Sequence, residues 1–132
     1  MIKLTRKAYR SIRKINSDWN DKITYRSDKA HYGLVDKWAC PADGFGDCED
    51  HCIAKQASLL DQGIPSFIAT CWTETGEYHA VLIVPTNRGD FILDNRYPYV
   101  MKPSELEYRW DKKECSDGKW YGISYSQSLC QV

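Results

Sequence analysis

Three short segments of the sequence contain residue types that could carry out thiol chemistry. They are Gly46-Asp47-Cys48-Glu49-Asp50, Tyr78-His79-Ala80-Val81-Leu82 and Ile92-Leu93-Asp94-Asn95. A cysteine becomes a nucleophile when a histidine takes its proton, and a carboxylate can orient the imidazole and fix its tautomer. Cys48, His79 and Asp94 therefore form a candidate nucleophile, base and orienting acid in chain order.

Each of these residues also has an ordinary structural interpretation. A lone cysteine near a helix start is more often a packing residue, and a lone histidine on a strand is more often a satisfied core residue. An aspartate before an asparagine at a strand end is usually a turn former. Order and spacing by themselves leave the catalytic and the structural interpretations equally open.

The second predicted helix should position Cys48. Asp47 is an N-cap type residue with Asp50 three positions on, so we expect this helix to begin near Asp47 and to stop at Gly63. Cys48 would then lie in the first turn, where the helix dipole lowers the pKa of a thiol and favours the thiolate.

The strands that follow should position the other two residues. Apolar runs between turn residues predict strands at Ser66–Trp72, Tyr78–Val84, Phe91–Asp94, 107–110 and 119–125. His79 opens the second of these strands and Asp94 ends the third. If the two strands are antiparallel neighbours, the two side chains can face each other.

The remaining elements complete an α+β pattern. Apolar residues at steps of four and three predict an amphipathic helix over 3–21, and residues 22–46 predict an ordered, aromatic-rich loop. Helices first and consecutive antiparallel strands after them are typical of an α+β fold. At 132 residues, the chain is expected to form a single domain over 1–132.

Charge and composition narrow the function classes. The 18 Lys and Arg residues balance 18 Asp and Glu residues, which argues against a nucleic-acid binder. No stretch approaches the roughly 20 apolar residues of a membrane span, so no membrane partner is expected. The first seven residues lack the apolar run that a signal peptide requires, so no signal peptide is expected there. The basic residues within 1–14 have no acidic neighbour there, which usually means a solvated helix face, with a partner-docking surface as the alternative.

Three longer stretches resemble one known family, the bacterial transglutaminase-like cysteine peptidases, which includes the periplasmic protease that releases biofilm adhesins. They are WACPADGFGDCEDHCIAKQASLLDQGIP, YHAVLIV and DFILDNRYPYV, and the similarity covers about residues 12–100. The resemblance implies a papain-like, transglutaminase-like core with Cys48 as nucleophile, His79 as base and Asp94 as orienting acid. It also implies calcium bound through acids that flank the nucleophile, with Asp47 and Asp50 as candidates and Glu49 as a third.

The donor chemistry of these acids agrees with calcium, which prefers several hard oxygen ligands. Three carboxylates beside Cys48 would oppose the thiolate, and a bound cation would neutralise them. The alternative is that the acids only stabilise a helix N-terminus. A zinc cluster of Cys40, Cys48, His51 and Cys52 is disfavoured, because the spacing lacks paired CxxC knuckles.

An oxyanion hole would require the Cys48 backbone N–H and a second donor, which related folds supply upstream of the nucleophile. Trp38 is the candidate, although a core role is as natural for it. Among the remaining cysteines, Cys115 and Cys130 form the one pairing to be checked.

The sequence therefore predicts a thiol-dependent hydrolase that cleaves an amide bond in a protein or peptide substrate through an acyl-enzyme. Two alternatives use the same scaffold: a transglutaminase-type acyl transferase or glutamine deamidase, and a catalytically idle, calcium-dependent binding module. We expect a monomer with no organic cofactor. Its expected location is cytoplasmic or phage-associated, because no signal peptide is seen and the family resemblance extends to small relatives in phage genomes.

Overall fold

The computed structural model describes residues 1–21 and 41–123, with the backbone alone for 41–47. The first helix, α1, covers residues 6–21. It begins later than the predicted 3–21 because Thr5 acts as a cap, its Oγ1 accepting a hydrogen bond from the Ala8 N–H at 3.0 Å. Ile12 is fully buried on the predicted apolar stripe. The predicted loop over 22–46 lies outside the described residues except for its last part, which is helical.

The second helix, α2, spans Pro41–Asp61 and corrects the sequence prediction. It begins six residues before Asp47, so Asp47 is an interior residue and not the N-cap. Cys48 is consequently the eighth residue of the helix, about two turns from its start. Because the dipole acts mainly within the first turn, the predicted activation of Cys48 by the helix N-terminus is wrong.

In the part of the chain that the structure describes, five strands form one antiparallel sheet. They are β1 (Phe67–Trp72), β2 (Tyr78–Thr86), β3 (Gly89–Leu93), β4 (Arg109–Glu114) and β5 (Trp120–Gly122). Their spatial order is β3-β2-β1-β4-β5, and all adjacent pairs are antiparallel. The predicted strand over 107–110 is displaced toward the C-terminus, and β3 stops one residue before Asp94.

Turn residues delimit these elements as the sequence predicted. Gly63 has φ of 74° and ends α2, since its N–H bonds to the Leu60 carbonyl at 2.9 Å. Gly76 has φ of 87° at the tip of the β1–β2 hairpin. A 3₁₀ turn, Pro103–Glu105, lies between β3 and β4.

The two faces of the sheet carry separate cores. The face toward the helices holds Ile12 and Leu59 of the helices against Leu82, Val84 and Leu93 of the sheet. The opposite face buries a second cluster: Ala69, Cys71, Val81, Ile83, Ile92, Leu106 and Tyr108. Two helices on one antiparallel sheet confirm the α+β prediction. Within the described residues, neither helix is apolar enough over its length to cross a bilayer.

Candidate active site

Cys48 lies on the side of α2 that packs into the core between the helices and the sheet. Its side chain is buried, and its Sγ accepts a hydrogen bond from the backbone N–H of Ala80 at 3.1 Å. The last paired residues of β2 and β3 are Leu82 and Leu93, so Ala80 lies past the end of that pairing. The Ala80 N–H is therefore not used in the pairing with β3 and is free to bond to the Cys48 sulfur. Ala80 follows His79 directly in the chain.

His79 and Asp94 are brought together as the sequence predicted. β2 and β3 are antiparallel neighbours, and the His79 Nε2 lies 2.8 Å from the Asp94 Oδ1. Continuing the register past Leu93 puts Asp94 opposite Val81, diagonal to His79 on the same face. With Nε2 held by the carboxylate, Nδ1 is the ring nitrogen left to exchange a proton with a thiol.

Asp94 is fully buried and accepts several hydrogen bonds. The Asp94 Oδ1 also accepts from the Arg96 backbone N–H at 2.9 Å, and the Oδ2 accepts from the Tyr108 hydroxyl. Burial alone would raise the pKa of Asp94, but the hydrogen bond and charge of His79, with the bonds from Tyr108 and Arg96, outweigh it. The pKa is therefore below its usual value, and Asp94 is a carboxylate.

Tyr108, Arg96 and Glu74 extend this network, and sequence reasoning missed all three. The Arg96 Nη1 donates to the Tyr108 Oη and to the Glu74 Oε1, both at 3.0 Å, and its Nη2 binds the Glu74 Oε2. Burial and the Asp94 charge raise the pKa of Tyr108, so its hydroxyl keeps the proton that it donates. The Arg96 hydrogen bonds lower the pKa of Glu74 to about 2.

A second polar bridge holds the turn after Asp94 from the helix side. The Asn20 Nδ2 of α1 donates to the carbonyls of Asp94 and Tyr97 at 3.1 and 2.9 Å. The Lys55 Nζ of α2 donates to the Asn16 Oδ1 at 2.8 Å, and the Asn16 Nδ2 donates to the Tyr97 carbonyl at 3.3 Å. Both helices are thus tied to the turn that carries Asp94.

Three other groups near Cys48 are buried and inert. Burial raises the pKa of Cys52 and Cys71, which keeps both as thiols. Burial and the nearby Lys55 charge lower the pKa of His51 to about 4, so this imidazole is neutral at pH 7. Its Nδ1 has no hydrogen-bond partner among the described residues.

The other predicted site residues are placed only in part. Trp38 lies outside the described residues, as does Cys130, so the oxyanion role of Trp38 stays a prediction. Cys115 is a free cysteine, which gives no support to the pairing with Cys130 that the sequence left to be checked. In a regular helix, an N–H two turns from the start bonds to the carbonyl four residues earlier. The Cys48 N–H therefore does not have the first-turn position that the oxyanion prediction assumed.

The predicted calcium ligands lie on α2 around the cysteine. Glu49 and Asp50 are exposed, whereas the Asp47 side chain lies outside the described part of the chain. Among the side chains that the structure describes, no three acidic, cysteine or histidine residues converge as a metal site. The carboxylate donors suit calcium chemically, but a ligand set from described side chains alone is incomplete.

Within the described residues, two helices pack on an antiparallel sheet, and a cysteine of α2 bonds to the strand that carries the histidine of a hydrogen-bonded histidine–aspartate pair. This arrangement defines a transglutaminase-like α+β protein. The sequence profile of the bacterial transglutaminase-like cysteine proteinases matches residues 1–128. The chain belongs to this family, which confirms the resemblance seen in the sequence. A search of curated proteins finds no significant match.

Solved structures of LapG from Legionella pneumophila are similar to this chain. One is 27% identical with a TM-score of 0.63, covering 92% of this chain and 73% of LapG. A calcium-bound structure is 30% identical with a TM-score of 0.52, covering 67% and 54%. An EGTA-treated structure is 28% identical with a TM-score of 0.53, covering 61% and 47%. The chain thus spans about half the length of the last two.

Proposed function

We propose that this chain is a thiol-dependent hydrolase that cleaves an amide bond in a protein or peptide substrate. Cys48 is the proposed nucleophile, His79 the base and Asp94 the residue that orients His79. The observation that carries the proposal is the joint placement of the Cys48 Sγ on the Ala80 N–H and of the His79 Nε2 on Asp94. Family membership supports the same activity.

The proposed reaction begins with transfer of the Cys48 proton to the His79 Nδ1. The thiolate attacks the carbonyl carbon of the amide, and the carbonyl oxygen becomes an oxyanion. His79 then returns its proton to the amine as the C–N bond breaks, which leaves a thioester on Cys48. Water, deprotonated by His79, hydrolyses the thioester and restores the thiol. Asp94 holds the imidazole in one tautomer and stabilises its cationic form throughout.

In this proposal, the Ala80 N–H stabilises the Cys48 thiolate, an effect that the sequence prediction attributed to the helix dipole. A hydrogen bond to an ionised acceptor is about twice as strong as one to a neutral acceptor. The bond from Ala80 to Cys48 therefore stabilises the thiolate more than the thiol. Because the donor is a backbone group of β2, its position relative to His79 is set by the strand itself.

The test uses variants of two cysteines one turn apart on α2. Fluorescent casein is incubated with the wild type, with Cys48→Ala and with Cys52→Ala, and new N-termini are quantified. Cys48→Ala should lower the rate by about 10³-fold or more, because the nucleophile is lost. Cys52→Ala also removes a buried thiol but should keep most of the activity. Equal loss in both variants would contradict the assignment of Cys48.

The same preparation distinguishes the alternative reactions. Ammonia released from glutamine peptides without new N-termini would indicate a deamidase, and amine incorporation would indicate an acyl transferase. If the Cys48 thiol reacts with iodoacetamide no faster than the Cys115 thiol, the idle binding module is favoured. Cys115 is a suitable reference because it is the more accessible of the two.

We further propose that Asp47, Glu49 and Asp50 hold a calcium ion, as the calcium-bound LapG structure suggests. Bound there, calcium would neutralise carboxylates beside the thiol. Removing calcium with EGTA should lower the melting temperature, because a ligand that binds only the folded state stabilises it. Asp50→Asn should abolish that difference, whereas Asp61→Asn, at the far end of α2, should retain it. An EGTA-insensitive melting curve would reject these ligands.

We also propose that the substrate is a protein or peptide and that the chain acts as a monomer. A partner is proposed to dock on the basic residues of α1. The cytoplasmic or phage-associated location also stays a prediction.

A further inference from the structure

We propose that Tyr108 and Arg96 are positioning residues that hold Asp94 in register with His79. This inference rests on the proposed function and deepens it, since neither residue belongs to the predicted triad. The two side chains form a continuous hydrogen-bonded path from the Asp94 carboxylate to Glu74 on the β1–β2 turn.

The two oxygens of Asp94 have separate tasks. The Oδ1 faces the His79 Nε2 at 2.8 Å, and the Oδ2 accepts the Tyr108 hydroxyl. A carboxylate held by one bond can rotate about its last torsion, which is broad in energy. The Tyr108 bond fixes the second oxygen and thereby restricts this rotation. The oxygen that faces His79 is therefore held in place before any substrate binds.

Tyr108 also contacts the base itself. Its ring lies edge-on to the His79 imidazole, with the two ring centroids 5.9 Å apart. The Trp110 ring packs against Tyr108 in the same way, at a centroid distance of 5.8 Å. Tyr108 is buried on the sheet face away from the helices. One side chain thus packs against the base and hydrogen-bonds to the acid, so it can set their relative position.

Arg96 connects this pair to the chain on both sides of it. Its backbone N–H bonds to the Asp94 Oδ1, and its guanidinium bonds to Tyr108 and, with two nitrogens, to Glu74. Glu74 lies on the turn that leads into β2, five residues before His79. The arginine therefore clamps the turn that precedes the base to the turn that contains the acid.

The first test compares tyrosine variants in the casein assay. Tyr108→Phe keeps the ring and removes the hydroxyl, and it should lower kcat about 10-fold while changing KM less than about twofold. Tyr78→Phe is the matched control: the Tyr78 hydroxyl bonds to Asp111 at 2.6 Å on the same sheet. Its neighbour His79 points to the opposite sheet face, so Tyr78→Phe should keep the wild-type kcat.

A double variant tests whether Tyr108 acts through Asp94. If it does, Tyr108→Phe should cost no further activity in an Asp94→Asn background, because the group that it positions is already lost. Effects that multiply in the double variant would overturn the proposal. For the clamp, Arg96→Gln should lower kcat, whereas Arg109→Gln should not, since Arg109 stacks on Trp72 away from Asp94.

A spectroscopic readout separates this inference from the proposed function. The chain has three histidines, so ¹⁵N-histidine labelling with a His79→Ala reference assigns the His79 Nε2 proton. Tyr108→Phe should shift or broaden that resonance, and Tyr78→Phe should leave it unchanged. An unchanged resonance in Tyr108→Phe would refute the positioning role even if casein is cleaved. A shifted resonance without cleavage by the wild type would support the positioning and reject the peptidase.

Discussion

Lys55 is the fully buried cation of α2, and replacing it should change how stability depends on pH. Its ammonium donates to the Asn16 Oδ1, and burial lowers its pKa from 10.5 to about 8, against the opposing charges of Cys52 and Asp94. In Lys55→Met, a side chain of similar length occupies the same space without a titrating group. The wild type and this variant should therefore differ most at high pH.

The sign and size of the effect follow from the two pKa values. Between pH 8 and 10.5, the unfolded chain keeps the Lys55 proton while the folded chain has lost it. Because the unfolded state binds more protons, the free energy of unfolding rises with pH in this window. At 1.36 kcal/mol per pKa unit, the full gain is about 3 kcal/mol, of which about 2 kcal/mol falls between pH 7.5 and 10. Below pH 8 this contribution is absent.

Urea unfolding at pH 7.5, 9 and 10 measures the effect as a difference between the two proteins. Buried groups with raised pKa values, such as Cys71, lower the stability as the pH rises, but they do so in both proteins and cancel. Since Cys52 interacts directly with Lys55, both proteins carry Cys52→Ala. The wild-type lysine should gain about 2 kcal/mol over Lys55→Met from pH 7.5 to 10. A constant difference would refute the assignment of Lys55 as a desolvated cation.

Three further variants test the packing and the turns. Leu59→Ala should lower the free energy of unfolding by about 3 kcal/mol in urea, because Leu59 is fully buried between helix and sheet. Gly63→Ala should cost about 1 kcal/mol, measured in the same way, because its φ of 74° strains any residue with a Cβ although space is open there. Asn20→Ala should lower the melting temperature and the casein-cleavage rate together, because it removes the side-chain donor of the Asp94 carbonyl and one of the two donors of the Tyr97 carbonyl. A lower melting temperature with unchanged cleavage would contradict a role in holding Asp94.

The sheet was predictable because its signals are local. The glycine of the β1–β2 hairpin and the apolar runs on either side of it are all visible within about 20 residues. The antiparallel pairing of β2 with β3 follows from their short connection, and it alone brings His79 near Asp94. Local turns and short connections therefore suffice to predict two of the three candidate catalytic residues as neighbours.

The start of α2 was mispredicted because two signals conflicted. Gly44 and Gly46 indicate a loop, and each costs about 1 kcal/mol inside a helix. Pro41 is a residue typical of the first helical turn, and it marks the observed start. Giving weight to the proline would have placed Cys48 two turns into the helix. A thiolate two turns into a helix gains little from the dipole and needs another donor, which the sheet supplies as the Ala80 N–H.

Tyr108 could not be found in this way, because its place depends on strand order. β4 pairs with β1 and not with β3, and the register shifts between Thr70 and Cys71. Cys71 consequently lies opposite His79 on one side and Trp110 on the other. This alignment of β2, β1 and β4 brings Tyr108, just before β4, close to His79 and hence to Asp94, just after β3. The nucleophile, base and acid can be inferred from their order in the chain, whereas the group that holds the acid in place follows from the assembled sheet.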